Sequence, residues 1–433
     1  MKSKDLKEKL ISYFRAGECQ IESLGMEIEH FVVEKDTLKS VGYREIGGVK
    51  EVLKELEKKG WEGQKEGGKL IGLKSAKADI TLEPGGQLEI GISPQEKIED
   101  LKKIYLNFLD DIIPILEEKG YWLINLGYQL HSKIEEIDWN AKERYKMMSN
   151  YLAKTGKYAH NMMKGTSALQ VALDYKDEED FIKKFRIANT LSPVLSSLLD
   201  NSPFFESEVY EGQALRTVIW DNTDNERCGI VKEAFDDDFG YEKYAEYILS
   251  RRPILIKSGG EYIPTFEQNN YQIFAKREFD TEELEHILTM VFPDVRAKQF
   301  IEIRMADSLP PEYSFAVVAL WKGLFYNQEV LDKAYNFIRK FSLADVLSAR
   351  KEIINRGIEA YLGEYKMVEI GQKLLDWVKL SLKPDEVRYL SPLLAIINSK
   401  ETLANKVKKE LKLKGKREVI KGHILNLLIK EDN

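Results

Sequence analysis

The sequence predicts an α+β fold built on a largely antiparallel sheet, and three observations lead there. Strand-like and helix-like patterns interleave irregularly, without the steady alternation of a parallel βαβ protein. Short alternating segments recur between residues 24 and 305, whereas the pattern from about residue 312 onward is nearly all helical. Apolar residues make up 43% of the 433 positions, enough for a large core and too many for a disordered chain.

Residues 1–15 place Leu6, Leu10, Ile11 and Phe14 on one stripe, as an amphipathic helix does. Residues 24–33 alternate like a strand, and GGVKEVLKELEKKG (47–60) reads as a helix stopped by Gly60. Residues 68–92 read as two or three short strands joined by turns. Helical patterns follow at 96–119, 143–154 and 178–200, and strand-like runs at 121–129, 166–174, 253–257 and 299–305. The helical C-terminal part breaks at Gly363 and Pro384. Its basic stretch KKELKLKGKREVIKGHI reads as a solvated helix and turn surface. No repeat, low-complexity tract or long linker interrupts the chain. The expectation is one body over 1–330, with 331–433 as a helical C-terminal part of the same domain.

Lys+Arg number 65 and Asp+Glu 72, a net charge of −7, which argues against a generally basic nucleic-acid binder. No apolar run approaches the ~20 residues of a membrane span. MKSKDLKEKL lacks the apolar region of a signal peptide. Cys19 and Cys228 cannot make a disulfide framework. The expectation is a soluble, cytoplasmic protein with no nucleic-acid or membrane partner; its oligomeric state is not legible.

Several familiar motifs are absent: GxGxxG, HExxH and GxSxG do not occur. GQKEGGKL (63–70) comes near a phosphate-binding loop, but Leu70 stands where Ser or Thr should be and a strand follows, so it reads as a turn. The five histidines are scattered singly, which excludes a zinc cluster. His30 reads as a structural histidine before a supporting residue of the site.

Four segments carry the chemistry. In LGMEIEHF (24–31), alternation puts Leu24, Met26 and Ile28 on one face and Glu27 and Glu29 on the other, about 6–7 Å apart. In ITLEPGGQLEI (80–90), Glu83 precedes a tight Pro84-Gly85 reversal of type II, and Gln87 and Glu89 share a face after it. Gln170 and Asp174 share a face of LQVALD (169–174), as do Glu302 and Arg304 of FIEIR (300–304). A half-exposed sheet would explain any one of these. It fits the set less well, because the polar positions are mainly Glu, with Gln and one Arg, and no Lys. Crowded carboxylates repel unless positive charge lies between them. Oxygen-only donors point to Mg²⁺ or Mn²⁺. RTVIWDNTDNERCG (216–229) reads as a turn flanked by Arg216 and Arg227, either a plain hairpin loop or two guanidinium anchors for carboxylate or phosphate. Arg296 carries the same ambiguity.

Together GMEIEH (25–30), ITLEPGGQLEIGISP (80–94), MMKGTSALQVALDY (162–175), RTVIWDNTDNERCG (216–229) and FPDVRAKQFIEIRMADSLP (292–310) resemble the glutamate–cysteine ligases. The resemblance is to the plant-type and actinobacterial branch of the carboxylate–amine ligase superfamily, which is related to glutamine synthetase. The tail EVRYLSPLLAIINSKETLANKV (386–407) is similar too. The resemblance implies a curved, mainly antiparallel sheet forming a funnel, with helices outside. It implies that ATP phosphorylates the γ-carboxylate of L-glutamate and that the amine of L-cysteine displaces phosphate, giving γ-glutamylcysteine. It implies Glu27, Glu29, Glu83, Glu89 and Glu302 as ligands for Mg²⁺ or Mn²⁺, Arg304 at the transferred phosphoryl group, Gln170 toward the metals or glutamate, and Arg216 and Arg227 on substrate carboxylate or phosphate. Lys164-Gly165-Thr166 and MADSLPP (305–311) depart from the family pattern. They motivate an alternative, a related ATP-dependent ligase with another amine acceptor. A second alternative is a non-catalytic Ca²⁺-binding protein, against which the three arginines argue.

Overall fold

The computed structural model of the chain describes residues 3–265, 267–275 and 280–431. Its centre is a nine-stranded antiparallel sheet that does not close into a barrel. The strands are β1 (Leu24–Glu34), β2 (Glu62–Glu66), β3 (Lys69–Lys74), β4 (Ala78–Leu82), β5 (Leu88–Gln95), β6 (Tyr121–Ile124), β7 (Ala168–Leu173), β8 (Val295–Ala297) and β9 (Ile301–Asp307). Their spatial order is β8-β9-β7-β1-β5-β4-β3-β2, and β6 pairs the far half of β1. The expected α+β class is thereby seen directly.

Alternation does the sorting. Leu24, Met26 and Ile28 of β1, Leu88 and Ile90 of β5, and Leu169 and Val171 of β7 are buried in one core cluster. The first eight helices in the chain are α1 (Ser3–Arg15), α2 (Val49–Glu57), α3 (Ile98–Glu118), α4 (Glu143–Leu152), α5 (Ala159–Gly165), α6 (Glu178–Leu198), α7 (Leu215–Asp221) and α8 (Tyr241–Ser250); α1, α2, α3, α6 and α8 join that core cluster, with α3 and α6 packed on the sheet, whereas α4, α5 and α7 form a second apolar cluster. Asp177 caps α6 through a bond from the Asp180 amide. Six longer helices follow, Pro311–Phe325, Gln328–Ile338, Leu343–Arg356, Met367–Ser381, Ser391–Ser399 and Leu403–Leu411. The break at Gly363 is a small hairpin in which that glycine has φ +60. Leu320, Leu331, Leu374 and Ile396 share one apolar cluster with Leu191 and Leu195 of α6, so packing runs continuously across residue 330.

Two local readings change in detail. GQKEGGKL is the β2–β3 hairpin, turning on Gly67 and Gly68, both at positive φ. In the 83–87 reversal the left-handed residue is Gly86 (φ +85), not Gly85. The Gly86 amide donates to the Glu83 carbonyl and the Glu83 amide to that of Gln87, so the loop has three residues rather than the two of a type II hairpin. Gly85 is required for another reason: a Cβ there would lie 2.6 Å from the Lys164 carbonyl oxygen of α5. Gly85→Ala is therefore expected to cost about 1–3 kcal/mol, read as a lower denaturation midpoint. The segment 216–229 is not a hairpin. It begins as α7, turns through 222–227 and ends in a short parallel pairing of Cys228–Gly229 with Phe292–Pro293. The β-branched run Thr217-Val218-Ile219 disfavours a helix locally, and burial of Leu215 and Ile219 overrides it. The basic tail carries its charge outward, with Lys409, Lys414 and Lys421 paired to Glu401, Glu410 and Glu418. No helix among the described residues is long and apolar enough to cross a membrane.

Candidate active site

The face opposite the helical core carries a cavity of about 220 Å³, and beside it a groove of about 300 Å³. Glu27, Glu89 and Gln170 line both, so the two form one trough across β5, β1 and β7. Strand register explains the convergence. Glu29 lies directly opposite Glu89, and Glu27 lies opposite Gln170 on one side and Gly91 on the other. Gly91 leaves room there, since an added Cβ would touch the Glu27 side chain at 3.7 Å. Glu83 reaches the same cavity from the turn before β5.

Directly opposed like charges destabilise a sheet, and the electrostatics register that. Burial, then the nearby Glu302 charge, pushes the Glu27 carboxyl above the usual carboxylate range. Burial and Glu83 push Glu29 up to about 8. Burial, then Glu27, Glu83 and Glu29, push Glu89 well up. Few donors offset this. The Ala168 amide donates to Glu29 at 2.9 Å, Thr81 to Glu89 at 2.8 Å, and Tyr145 to Glu83 at 3.4 Å. Burial and mutual repulsion thus raise all three acids, and the nearby arginines and Lys298 offset this only in part.

Glu302 is placed differently from the ligand role expected of it. It is 2% exposed and takes bonds from Arg296 Nε at 2.7 Å, Arg304 Nη1 at 2.8 Å and Lys298 Nζ at 3.3 Å. Burial opposes its charge, but Arg296, Lys298 and Arg304 outweigh burial and hold its carboxyl well below the usual range. Its negative charge is spent on holding arginines, so Glu302 anchors cations rather than presenting a free ligand. Arg304 also donates to Gln170 Oε1, and Gln170 Nε2 reaches Glu29 at 3.5 Å. Among the described residues no group of three or more His, Cys, Asp or Glu is spaced to hold an ion by itself.

Arg216 lines the cavity from α7, is buried, makes no ion pair among the described residues, and its Nε has no hydrogen-bond partner there. Burial lowers its pKa, against the pull of Asp307 and Glu29. Its guanidinium lies over the Trp220 ring, 5.5 Å from the centroid, and a buried cation without a bound carboxylate is costly, which an anionic ligand would relieve. Arg227 is not brought to the cavity. It is 1% exposed and bound to Asp224 at 2.6 Å, to Tyr151, and to the carbonyls of Arg252 and Met290. Its donors tie loops together. Arg144, at the start of α4, does line the cavity, with its Nε buried and unpartnered and its guanidinium over the Tyr145 ring. Nothing in the helical pattern of 143–154 marked it out. Trp220, Phe292 and four methionines, Met148, Met162, Met163 and Met290, give the cavity an apolar wall.

His30 is structural. Its ring bonds the Leu88 carbonyl at 3.0 Å and Tyr105 at 2.8 Å in the core, and burial pushes its pKa down to about 4. Of the two departures from the family pattern, Lys164 turns away from the cavity, donating to the Ile134 and Ile137 carbonyls. Asp307 accepts from the Asn201 amide at 2.8 Å and Ser202 at 2.6 Å. Thr166, by contrast, lines the cavity, and Asp307 acts electrostatically on Arg216.

Comparison with known proteins identifies the family. The family model described as glutamate–cysteine ligase family 2 matches residues 23–407. The chloroplastic glutamate–cysteine ligase of Brassica juncea is 31% identical over 92% of this chain and 79% of its own. Glutamate–cysteine ligase B of Oryza sativa subsp. japonica is 31% identical over 95% and 85%. The crystal structure of a Francisella tularensis glutamate–cysteine ligase in complex with AMP superimposes with a TM-score of 0.55 at 12% identity, covering 95% of this chain and 89% of that one. With the family model spanning nearly all of the sheet and its trough, the chain belongs to glutamate–cysteine ligase family 2.

Proposed function

We propose that this chain joins the γ-carboxylate of L-glutamate to the amine of L-cysteine at the expense of ATP, releasing γ-glutamylcysteine, ADP and phosphate. The observation that carries the reading is a trough holding crowded carboxylates, three of them with raised pKa, beside the buried Arg216 and the half-buried Arg144, neither of which makes an ion pair among the described residues. A carboxylate is a poor electrophile and must first be activated. Phosphoryl transfer between two anions needs charge neutralisation and alignment more than covalent help. Mg²⁺ or Mn²⁺ would neutralise the phosphates; the carboxylates of Glu27, Glu29, Glu83 and Glu89 are those from which one or two would hold each cation, with the substrate phosphates completing its oxygen donors. Arg304, fixed between Gln170 and Glu302, stands on the same face to meet the transferred phosphoryl group. Arg216 and Arg144 would hold the anionic ends of the substrates. The apolar wall keeps water from the acyl phosphate, which the amine then attacks. No side-chain nucleophile is needed.

The deciding assay incubates the protein with ATP, Mg²⁺, glutamate and cysteine and looks for γ-glutamylcysteine by mass. Absence of product with cysteine, or equal ADP release with unrelated amines, would overturn the reading. A second outcome concerns pH. Glu29 must give up its proton to meet a cation, and its carboxyl titrates at about 8. In the free protein that proton is held where an unfolded carboxyl, near 4.3, has lost it, so free-state stability falls as pH rises toward 8. Mg²⁺ with a non-hydrolysable ATP analogue is therefore expected to raise Tm more at pH 8 than at pH 6. A pH-independent increment would remove Glu29 from the cation site.

A further inference from the structure

Arg350 lies on the helix Leu343–Arg356, outside the trough, and is 5% exposed. Its Nε donates to Asp221 at 2.8 Å, and both terminal nitrogens face Asp294, Nη2 at 3.4 Å from Oδ1 and Nη1 closer to Oδ2. The two aspartates belong to different walls of the cavity. Asp221 is the last residue of α7, which carries Arg216 and Trp220. Asp294 sits between Phe292 and Arg296, both cavity residues, and its carbonyl accepts the Arg304 amide at 2.9 Å. Ser192 of α6 holds the same Asp294 carboxylate.

We infer that Arg350 is a positioning residue: by clamping Asp221 to Asp294 it fixes the roll of α7 and so aims Arg216 at the anionic substrate. This deepens the ligase reading and rests on it. Among the described residues Arg216 makes no ion pair, its Nε has no hydrogen-bond partner, and its guanidinium lies over the ring of Trp220 on the same helix, so the placement of α7 largely determines where it points. The helix has only seven residues. It starts at Ala214, in the left-handed region at φ +48, whose amide is held by Asp200 at 2.9 Å. Beyond its end, Tyr158 and Thr155 hold the Asn222 and Thr223 carbonyls, which fixes the path of the chain. Burial of Leu215 and Ile219 sets the coarse roll of the helix, and Arg350–Asp221 fixes it at the C-terminal end, where the helix is least covered. An aspartate at a helix C-terminus meets the negative end of the dipole, and a cation there removes the conflict. The bidentate arm on Asp294 ties that setting to the strands bearing Arg296 and Arg304, so both sets of cationic groups share one reference point. Misplacement of a binding group by ~1 Å can cost up to about 100-fold.

Arg350→Met would strand two aspartates and put folding itself at stake, so the decisive variant is Asp221→Asn. Binding of ATP and of glutamate to the full chain is measured by calorimetry, beside Tm. The ligand that Arg216 holds is the one weakened by Arg216→Lys. For that ligand Asp221→Asn is expected to raise Kd about tenfold with Tm nearly unchanged, and Asp221→Glu, which keeps a carboxylate, to recover most of it. In the Arg216→Lys background Asp221→Asn should add less than about twofold, because the two changes act through one group. The inference falls if Asp221→Asn leaves Kd unchanged, if its effect multiplies fully with that of Arg216→Lys, or if weaker binding appears only together with a lower Tm. Failure of the ligase reading would look different: tight binding in the wild type without γ-glutamylcysteine.

Discussion

Replacing Glu27 by Gln is expected to lower kcat/KM for γ-glutamylcysteine formation by about 100-fold or more while raising the Tm of the ligand-free protein. The two effects have one origin. Glu27 stands between Gln170 and Gly91 in the middle of the sheet, in contact with both the cavity and the adjoining groove. Burial and the Glu302 charge already raise its pKa, so in the free protein its ionised form is a cost. Gln keeps the shape and the strand register, removes that cost, and removes the oxygen charge a cation needs. A function-bearing acid should therefore be destabilising when empty-handed, as functional sites often are. Turnover like wild type, or a lower Tm, would show that Glu27 serves the scaffold.

Arg304→Lys is expected to lower kcat by about 100-fold with little change in KM for ATP or glutamate. The guanidinium engages Gln170 and Glu302 at once, and Glu27 and Glu29 lie within its electrostatic reach. An ammonium is a single point on a flexible stem and cannot keep both bonds. The fold should survive, because Arg296 and Lys298 still neutralise Glu302. A variant whose KM rises with kcat intact would mean that Arg304 binds a ground-state group and does not meet the developing charge of transfer.

The site was only partly legible in the sequence, and particular residues show why. Glu27 and Glu29 could be assigned to one face because alternation along a strand is a local rule. The PGGQ reversal was legible as a turn, but not its left-handed residue, since that depends on how Gly85 passes α5. Arg216 and Arg227 looked alike in one loop-like segment. One ended in the cavity and the other in a web of carbonyls, because the first half of the segment is a helix whose apolar face is buried. Arg144 was invisible, because an arginine in an amphipathic helix has no local mark of where it points.

By itself the sequence determined the α+β class, the acidic face and the family resemblance. Each rests on residue type and on periods of two or 3.6, which neighbours along the chain decide. Only the tertiary structure decided how charge is shared out. The register that sets Glu29 against Glu89 leaves those acids only partly compensated, and the β8–β9 pairing that sets Arg296 against Glu302 satisfies that one. Coulomb energies depend on separations between strands and helices far apart in sequence, and on the burial around them.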